Sequence, residues 1–268
     1  MAGAAKDRLT GYPPNPAYGT GVCRRRFGFV ASPGRMTVSL YDDFHDMIVE
    51  IDHDGSVVTA TAGAMRRFPK DTCPGAVALL QQFVGCDVTQ GRSAIAGRFS
   101  RGAHCTHLID MAALGLSAIQ RGVVDQTVEL SVTDPDANHR QSLIVKVDGD
   151  VALSLELQGE AMVTPAQYAG RSLFGGFSRW ADEQFTGFER DLWQMAQMML
   201  FISHGRKFIV DGTTRIAARD EPHRKGNCFS YSDPAFQTAL DMVGFFRDHT
   251  DGLPPRDREN ERTGHEGS

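Results

Sequence analysis

The chain has 268 residues, of which 41% are hydrophobic and 23% charged, and its formal net charge is −5. This composition is typical of a globular protein with one large domain or two small ones. The negative charge argues against nucleic-acid binding, which usually requires a basic face. The arginine runs at 24–26 and 66–67 are short. We therefore expect their side chains to be solvated or salt-bridged, with binding of an anionic substrate as the alternative.

Cysteine usage and the N-terminal sequence indicate the compartment. The cysteines are widely spaced and include no CxxC motif, which excludes a disulfide framework and predicts a cytoplasmic protein. The N-terminal residues are polar and proline-rich, unlike a signal peptide, and no apolar run approaches the length of a membrane span. We expect neither a membrane nor a nucleic acid as a partner. A homodimer is left open.

The first part of the chain is predicted to be an irregular arm, residues 1–20, followed by an α+β unit over 21–122. Alternation of apolar and polar residues predicts strands, two of them joined by an Asp-Gly turn. These strands span 24–31, 35–41, 44–52 and 56–64. Apolar residues at helical spacing predict three helices, over 74–84, 90–97 and 106–121.

A second α+β unit is predicted over 123–250. Stretches rich in β-branched residues predict strands over 127–133, 142–147 and 151–157. A short helix opened by Thr164-Pro165 and a glycine-rich loop over 170–176 follow. The remaining predicted elements are a long amphipathic helix over 180–203, short strands over 207–210 and 228–231, and a helix over 235–246. The charged residues 251–268 are predicted to form a disordered tail.

These elements predict an α+β fold in which antiparallel hairpins pack against helices, because strands and helices are segregated rather than alternating. Strands followed by helices occur twice, each time around an Asp-Gly turn. One interpretation is a pair of similar halves. The other, which we favour, is that such turns recur because they commonly form hairpins.

Reactive side chains are concentrated at the start of the predicted helix over 106–121, where residues 104–110 read HCTHLID. Thr106 is a suitable N-cap, and His107 and Asp110 lie three residues apart, so they share a helix face. Cys105 precedes the first turn, where the partial positive charge of the helix lowers a thiol pKa. Opposing effects of the helix start and Asp110 would leave the His107 pKa near the ordinary value of about 6.5. The structural alternative is packing and capping.

Four segments together carry a resemblance to a known family. They are FHDM at 44–47, CP at 73–74, LLQQFVGCDVTQG at 79–91 and CTHL at 105–108. In this order they resemble the bacterial family catalogued as domain of unknown function 2889, over roughly residues 20–122. The residues that match are His45, Asp46, Cys73, Cys105, Thr106 and His107, whereas His104 stands where the family usually has glycine. The resemblance implies that His45 and the CTHL helix start form one unit, and it associates the chain with bacterial breakdown of aromatic and other recalcitrant compounds.

We expect a cofactor-independent lyase, because nicotinamide, flavin, ATP and zinc-binding signatures are missing from the sequence. His45 and His107 would be the acid–base pair, and Asp46 or Asp110 the orienting carboxylate. His45 and Asp46 are neighbours on a predicted strand, so they point to one pocket only if the backbone is irregular there. The expected reactions are retro-aldol cleavage with loss of formaldehyde, or dehydration. The expected substrate is a small aromatic, such as a lignin-derived compound.

The substrate-binding residues are expected in the second unit. Arg171 or Arg206 would bind an anion, His204 would add to a cationic pole after the long helix, and Tyr168 and Trp180 would provide aromatic walls. Core packing is the alternative for the rings, and helix capping for the basic residues. Two other functions stay open, a non-enzymatic ligand-binding or accessory protein and a metal- or thiol-dependent hydrolase that uses Cys105.

Overall fold

The computed structural model describes residues 11–95, 98–210 and 215–256. The strands are β1 (Val22–Ser32), β2 (Arg35–Asp42), β3 (Asp46–His53), β4 (Val58–Arg67), β5 (Asp125–Thr133), β6 (Arg140–Val147), β7 (Asp150–Gln158) and β8 (Ala161–Thr164). They form one antiparallel sheet in the order β4-β3-β2-β1-β5-β6-β7-β8. Each half is therefore a four-stranded meander that steps outward from the central pair β1 and β5.

The helices are α1 (Thr106–Gln120), α2 (Phe177–Gln184) and α3 (Gly187–Ser203), and 3-10 helices cover Cys73–Phe83 and Val88–Ile95. α1 packs against β2 and β3, whereas α3 packs against β5 and β6. Side chains along β2 are alternately buried and partly exposed, as expected for a strand with one face on the core. The predicted α+β fold is confirmed.

The chain departs from the predicted helix over 180–203. Phe185 and Thr186 are extended, and Gly187 has a φ of +54°, so the segment forms two helices rather than one. The break allows the Phe185 ring to stack on Trp193, with 4.9 Å between ring centroids. Packing of these rings therefore overrides a continuous helical pattern.

The short elements predicted near the C-terminus also differ. In place of the predicted strand over 207–210 there is an isolated bridge between Phe208 and Pro14. The predicted strand over 228–231 contains a 3-10 turn, Phe229–Tyr231, and the predicted helix over 235–246 contains only Ala235–Gln237. The backbone after that turn hydrogen-bonds to distant segments instead of to itself, as in Asp241 N to Ile216 O and Met242 N to Pro69 O. The apolar and polar pattern within a segment gives no information about partners so far away in the sequence.

The first and the last residues that the structure describes are held against the folded core. In the N-terminal arm, the Tyr12 hydroxyl donates to the Asp241 carboxylate. Residues 251–256, which the sequence assigned to a disordered tail, run along β1. Arg26 donates to the carbonyl of Pro254 at 2.8 Å, and Arg256 pairs with Asp125 at 2.6 Å. The rest of the predicted tail, 257–268, and the first ten residues of the arm lie outside the described residues. Within the described part of the chain, no helix is long and apolar enough to cross a membrane.

We expect Gly115→Val to lower the free energy of unfolding by about 1–3 kcal/mol, the usual cost of overfilling a core. A Cβ at Gly115 would lie 2.7 Å from Ile51 Cδ1 and 3.0 Å from Val38 Cγ2, so the added side chain would separate α1 from the sheet. Urea unfolding would measure the loss. Glu183→Val, on the exposed surface of α2, is the control for helix propensity. Equal losses in the two variants would contradict the packing explanation.

Candidate active site

A cavity of about 680 Å³ opens between the turn that joins β2 to β3, the start of α1, the C-terminal half of α3 and the segments that follow it. The turn and α1 contribute His45, Cys105, Thr106 and His107. Much of the remaining wall is apolar, and it includes Phe44, Met198, Phe201, Ile202, Phe208 and Phe245. A volume and lining of this kind suit a small organic ligand.

The turn between β2 and β3 is held by hydrogen bonds to its own backbone. Asp42 Oδ1 accepts the backbone N–H groups of Phe44 and His45, both at 2.7 Å. The Arg67 guanidinium donates to the carbonyl oxygens of Asp42, Asp43 and His45. Because these contacts satisfy the turn locally, the position of the His45 side chain is tightly defined.

The His45 imidazole belongs to a buried chain of charged groups. Arg25 lies directly opposite Asp42 in the β1–β2 register, and its Nε is 2.8 Å from Asp42 Oδ2. Asp42 Oδ1 is 3.0 Å from His45 Nδ1. Burial alone would raise the pKa of Asp42, but Arg25 and His45 together hold it well below its usual range. An ionised carboxylate can only accept, so the Nδ1–H of His45 donates to Asp42 and Nε2 is the ring nitrogen left for other contacts.

His107 lies against His45, with 4.2 Å between the ring centroids and 35° between the planes. Its Nε2 is buried and has no hydrogen-bond partner within the described part of the chain. Burial holds the pKa of His107 well below its usual value, and the neighbouring His45 and Arg25 act in the same direction. The expected value near 6.5 is therefore wrong, because the opposing influence comes from Asp42 and is outweighed. His107 is neutral at pH 7.

Two of the thiols in the cavity wall, those of Cys73 and Cys105, are protonated. Burial raises the pKa of Cys105 to about 12, so the expected lowering by the helix start is wrong. Burial also raises the pKa of Cys73 to about 11, and its sulfur lies 3.3 Å from the Ser230 hydroxyl. Neither cysteine is a ready nucleophile, since the reactive form is the thiolate.

A second polar group, here called the Lys70 cluster, lies at another part of the same wall. It consists of Tyr12, Lys70, Glu221, Arg224, Tyr231 and Asp241. Lys70 Nζ lies 2.7 Å from Asp241 and 3.1 Å from Glu221. The Tyr231 hydroxyl donates to Glu221 at 2.6 Å. Burial raises the pKa of both tyrosines, so they remain neutral phenols.

The predicted site residues of the first unit are only partly brought together. His45, Cys105 and His107 line the same cavity. Asp46 lies outside that lining, 3.8 Å from Arg66. Asp110 lies 3.8 Å from Arg92 and lines a separate cavity of about 80 Å³, which His107 also borders. The carboxylate that orients His45 is Asp42, which we did not predict.

Of the predicted substrate-binding residues, only His204 lines the large cavity, and its ring stacks on Phe174 at 5.7 Å. Arg206 is buried, with its guanidinium 2.8 Å from Asp43 and 3.0 Å from Asp134. The remaining three belong to a packed aromatic group away from the cavity. Tyr168 packs edge-on against Trp180 at 5.2 Å, and Arg171 lies over the same indole at 5.1 Å.

Some of the missed residues carried a sequence signal. An aspartate just before a short polar turn often accepts backbone N–H groups, and Asp42 does so here. Arg25 belongs to an arginine run whose side chains we expected to be solvated or salt-bridged. It forms a buried salt bridge with Asp42. Glu221 and Asp241 gave no signal, because they reach Lys70 only in the folded chain. Among the described residues, no three His, Cys, Asp or Glu side chains are grouped to hold a metal ion.

Fold and cavity together define an α+β protein with a histidine pair in a largely apolar pocket. The sequence model of the family described as "Protein of unknown function (DUF2889)" matches residues 32–120. The resemblance seen in the sequence is thus confirmed over this segment, which contains Asp42, His45 and His107. Glu221 and Arg224 lie beyond it. No curated protein matches the chain.

We expect Asp42→Asn to lower the free energy of unfolding by about 3–5 kcal/mol, because it leaves the buried Arg25 charge without its partner. The chain offers a matched control in Asp52→Asn. Asp52 pairs with Arg35 across β2 and β3 in the same directly opposed arrangement, but the two side chains are 32% and 42% exposed. Breaking that pair should cost less than about 1 kcal/mol. Similar losses in urea unfolding would show that burial of the Arg25–Asp42 pair is unimportant.

His107 should also make stability depend on pH. The folded state keeps this imidazole neutral, whereas the unfolded chain binds a proton below about pH 6.5. Stability should therefore fall as the pH drops below that value, by at most about 1.4 kcal/mol per pH unit from this group. Urea unfolding between pH 7.5 and 5.5 should show a shallower fall for His107→Gln than for the wild type. Parallel curves would contradict a neutral His107, since the other histidines titrate in both proteins.

Proposed function

We propose that the chain is a lyase that needs no cofactor and acts by acid–base chemistry on a small aromatic compound. The observation that carries this proposal is the histidine pair in the cavity. His45 is oriented by Asp42 at 3.0 Å, and it lies 4.2 Å, between ring centroids, from a His107 whose Nε2 has no partner among the described residues. Two imidazoles side by side can supply a proton acceptor and a proton donor.

His45 is the base in this proposal. The reactive form of this ring donates its Nδ1 proton to Asp42 and holds a lone pair on Nε2. As Nε2 accepts a proton, the imidazolium that forms is stabilised by the adjacent Asp42 carboxylate, whose own charge Arg25 keeps in place. An oriented histidine backed by a carboxylate is the arrangement that hydrolases also use to move protons.

His107 is the acid in this proposal. At rest the ring is neutral, and the form that gives a proton to a departing oxygen is the protonated ring, whose lowered pKa makes it a strong acid. Arg25 and His45 disfavour a second proton on this ring. The two histidines therefore have distinct environments, which separates the roles of base and acid.

A phenol with a neighbouring hydroxymethyl group suits this pair. A phenol that has lost its proton to solvent expels a benzylic oxygen, which takes a proton from the protonated form of His107, and a quinone methide remains. His45 then removes the hydroxyl proton of the hydroxymethyl group, the carbon–carbon bond breaks, and formaldehyde leaves. The electrons of that bond form a side-chain double bond and restore the phenolate. The sequence is redox-neutral, so no electron carrier is required. Dehydration uses the same donor and acceptor without the carbon–carbon cleavage.

Other features fit this proposal better than its alternatives. The raised pKa of Cys105 disfavours a thiol-dependent hydrolase, because a protonated thiol is a poor nucleophile. The aromatic residues of the wall, Phe44, Phe208 and Phe245, can contact a substrate ring. The described cysteines are all free, which supports a reaction in the reducing cytoplasm. A homodimer remains a prediction.

We expect His45→Gln and His107→Gln each to lower the turnover rate by roughly 10²–10⁴-fold, the contribution of a general acid or base. The assay would use phenolic compounds with a benzylic ether and an adjacent hydroxymethyl group. It would measure released formaldehyde by colorimetry and dehydrated product by mass spectrometry. Cys105→Ser should retain most of the activity.

His53→Gln is the matched control, because His53 lies at the opposite end of β3 from His45. Wild-type rates in the His45 and His107 variants would refute the acid–base assignment. Loss of activity in Cys105→Ser alone would favour a thiol mechanism. Binding of the same compounds without turnover by the wild type would favour a ligand-binding protein.

A further inference from the structure

The charged side chains on the cavity wall share one sign. Within the described part of the chain, the lining includes Lys70 and Arg224 but no aspartate or glutamate. The carboxylates that balance these cations, Glu221 and Asp241, lie behind the wall and are 0% and 3% exposed. A wall with positive groups in front and negative groups behind favours an anionic ligand.

The two cations differ in their capacity to bind a ligand. Lys70 is 2% exposed, and its ammonium contacts Asp241, Glu221 and the carbonyl of Ile216. Three contacts use the three donors of an ammonium group. Lys70 therefore serves to hold the carboxylates, rather than to bind a molecule in the cavity.

Arg224 is differently placed. Its side chain is 39% exposed, and its Nη1 lies 3.1 Å from Glu221. The guanidinium carbon lies 4.3 Å from the centroid of the Tyr231 ring, which fixes the plane of the group. Since a guanidinium has five N–H donors, donors remain for a ligand beyond the bond to Glu221. The group is thus charged, oriented and open to the cavity.

The geometry points to Arg224 as the residue that binds a carboxylate on the ligand of this cavity, which makes the ligand an aromatic or arylalkyl carboxylate. The planar fork of a guanidinium matches a carboxylate through two parallel hydrogen bonds. A carboxylate is ionised at neutral pH, whereas a simple phenol is not. Phe208 and Phe245 of the same wall provide apolar surface for the ring.

This assignment deepens the proposed function, and it rests on that function only for the orientation of the substrate. With its carboxylate at Arg224, the ligand would direct another part of the molecule toward His45 and His107, which border the same cavity. Binding of the carboxylate requires no turnover. The two proposals can therefore fail separately.

Isothermal titration at pH 7.5 with 3-(4-hydroxyphenyl)propanoate and with its methyl ester would test the assignment. The two probes share one skeleton and differ by one charge. We expect the wild type to bind the acid at least 10-fold more tightly than the ester. Arg224→Gln should weaken binding of the acid 10–100-fold and change binding of the ester less than 2-fold. Arg224→Lys, which keeps the charge but loses the fork, should bind the acid with intermediate affinity.

Arg219→Gln is the matched control, because Arg219 is an exposed arginine outside the cavity, and it should bind both probes as the wild type does. Equal affinity of the wild type for acid and ester, or no binding of either at millimolar concentration, would overturn the assignment. So would wild-type affinity for the acid in Arg224→Gln. The wild-type comparison needs no variant, so it stands even if a substitution disturbs the Lys70 cluster. His107→Gln should still bind the acid, whatever its activity.

Discussion

The ion pair between Arg25 and Asp42 is the constraint on which the candidate site depends. It joins β1 to β2 at the last residue of β2, where the chain turns toward His45, and both side chains are almost completely buried. Removing two charges from water costs free energy that the pairing only partly recovers. We therefore explain the pair by the position in which it holds the Asp42 carboxylate, rather than by a gain in the free energy of unfolding. One oxygen of Asp42 receives Arg25, and the other receives two backbone N–H groups and the His45 ring.

The low-dielectric surroundings that make this pair costly also define the chemistry of the histidines. Burial keeps His107 neutral, and the Asp42 carboxylate orients the His45 ring. The same burial keeps the thiol of Cys105 protonated. Proton transfer by nitrogen is thus available in a place where attack by sulfur is disfavoured, although both residue types lie at the start of one helix.

The side of the cavity formed by the Lys70 cluster is assembled from segments with little regular structure. Lys70 binds Glu221 across 151 positions of the sequence, and Tyr12 binds Asp241 across 229. These buried contacts tie the N-terminal arm and the C-terminal segments to the edge of the sheet. The family match covers the histidine side of the cavity, residues 32–120, whereas most of the Lys70 cluster lies beyond it. The histidine pair and Arg224 thus come from different parts of the chain.

The sequence by itself determined β1 to β7, because period-two alternation and Asp-Gly turns are local signals. It also located α1 and brought His45 and the CTHL segment into one unit through the family resemblance. Tertiary structure alone decided that Asp42 orients His45, since which carboxylate lies beside a ring depends on strand register and on a turn. Tertiary structure likewise decided that Arg206 is buried against two aspartates, whereas Arg224 lines the cavity. Both are arginines near helical turns, and only burial and the positions of distant carboxylates distinguish them.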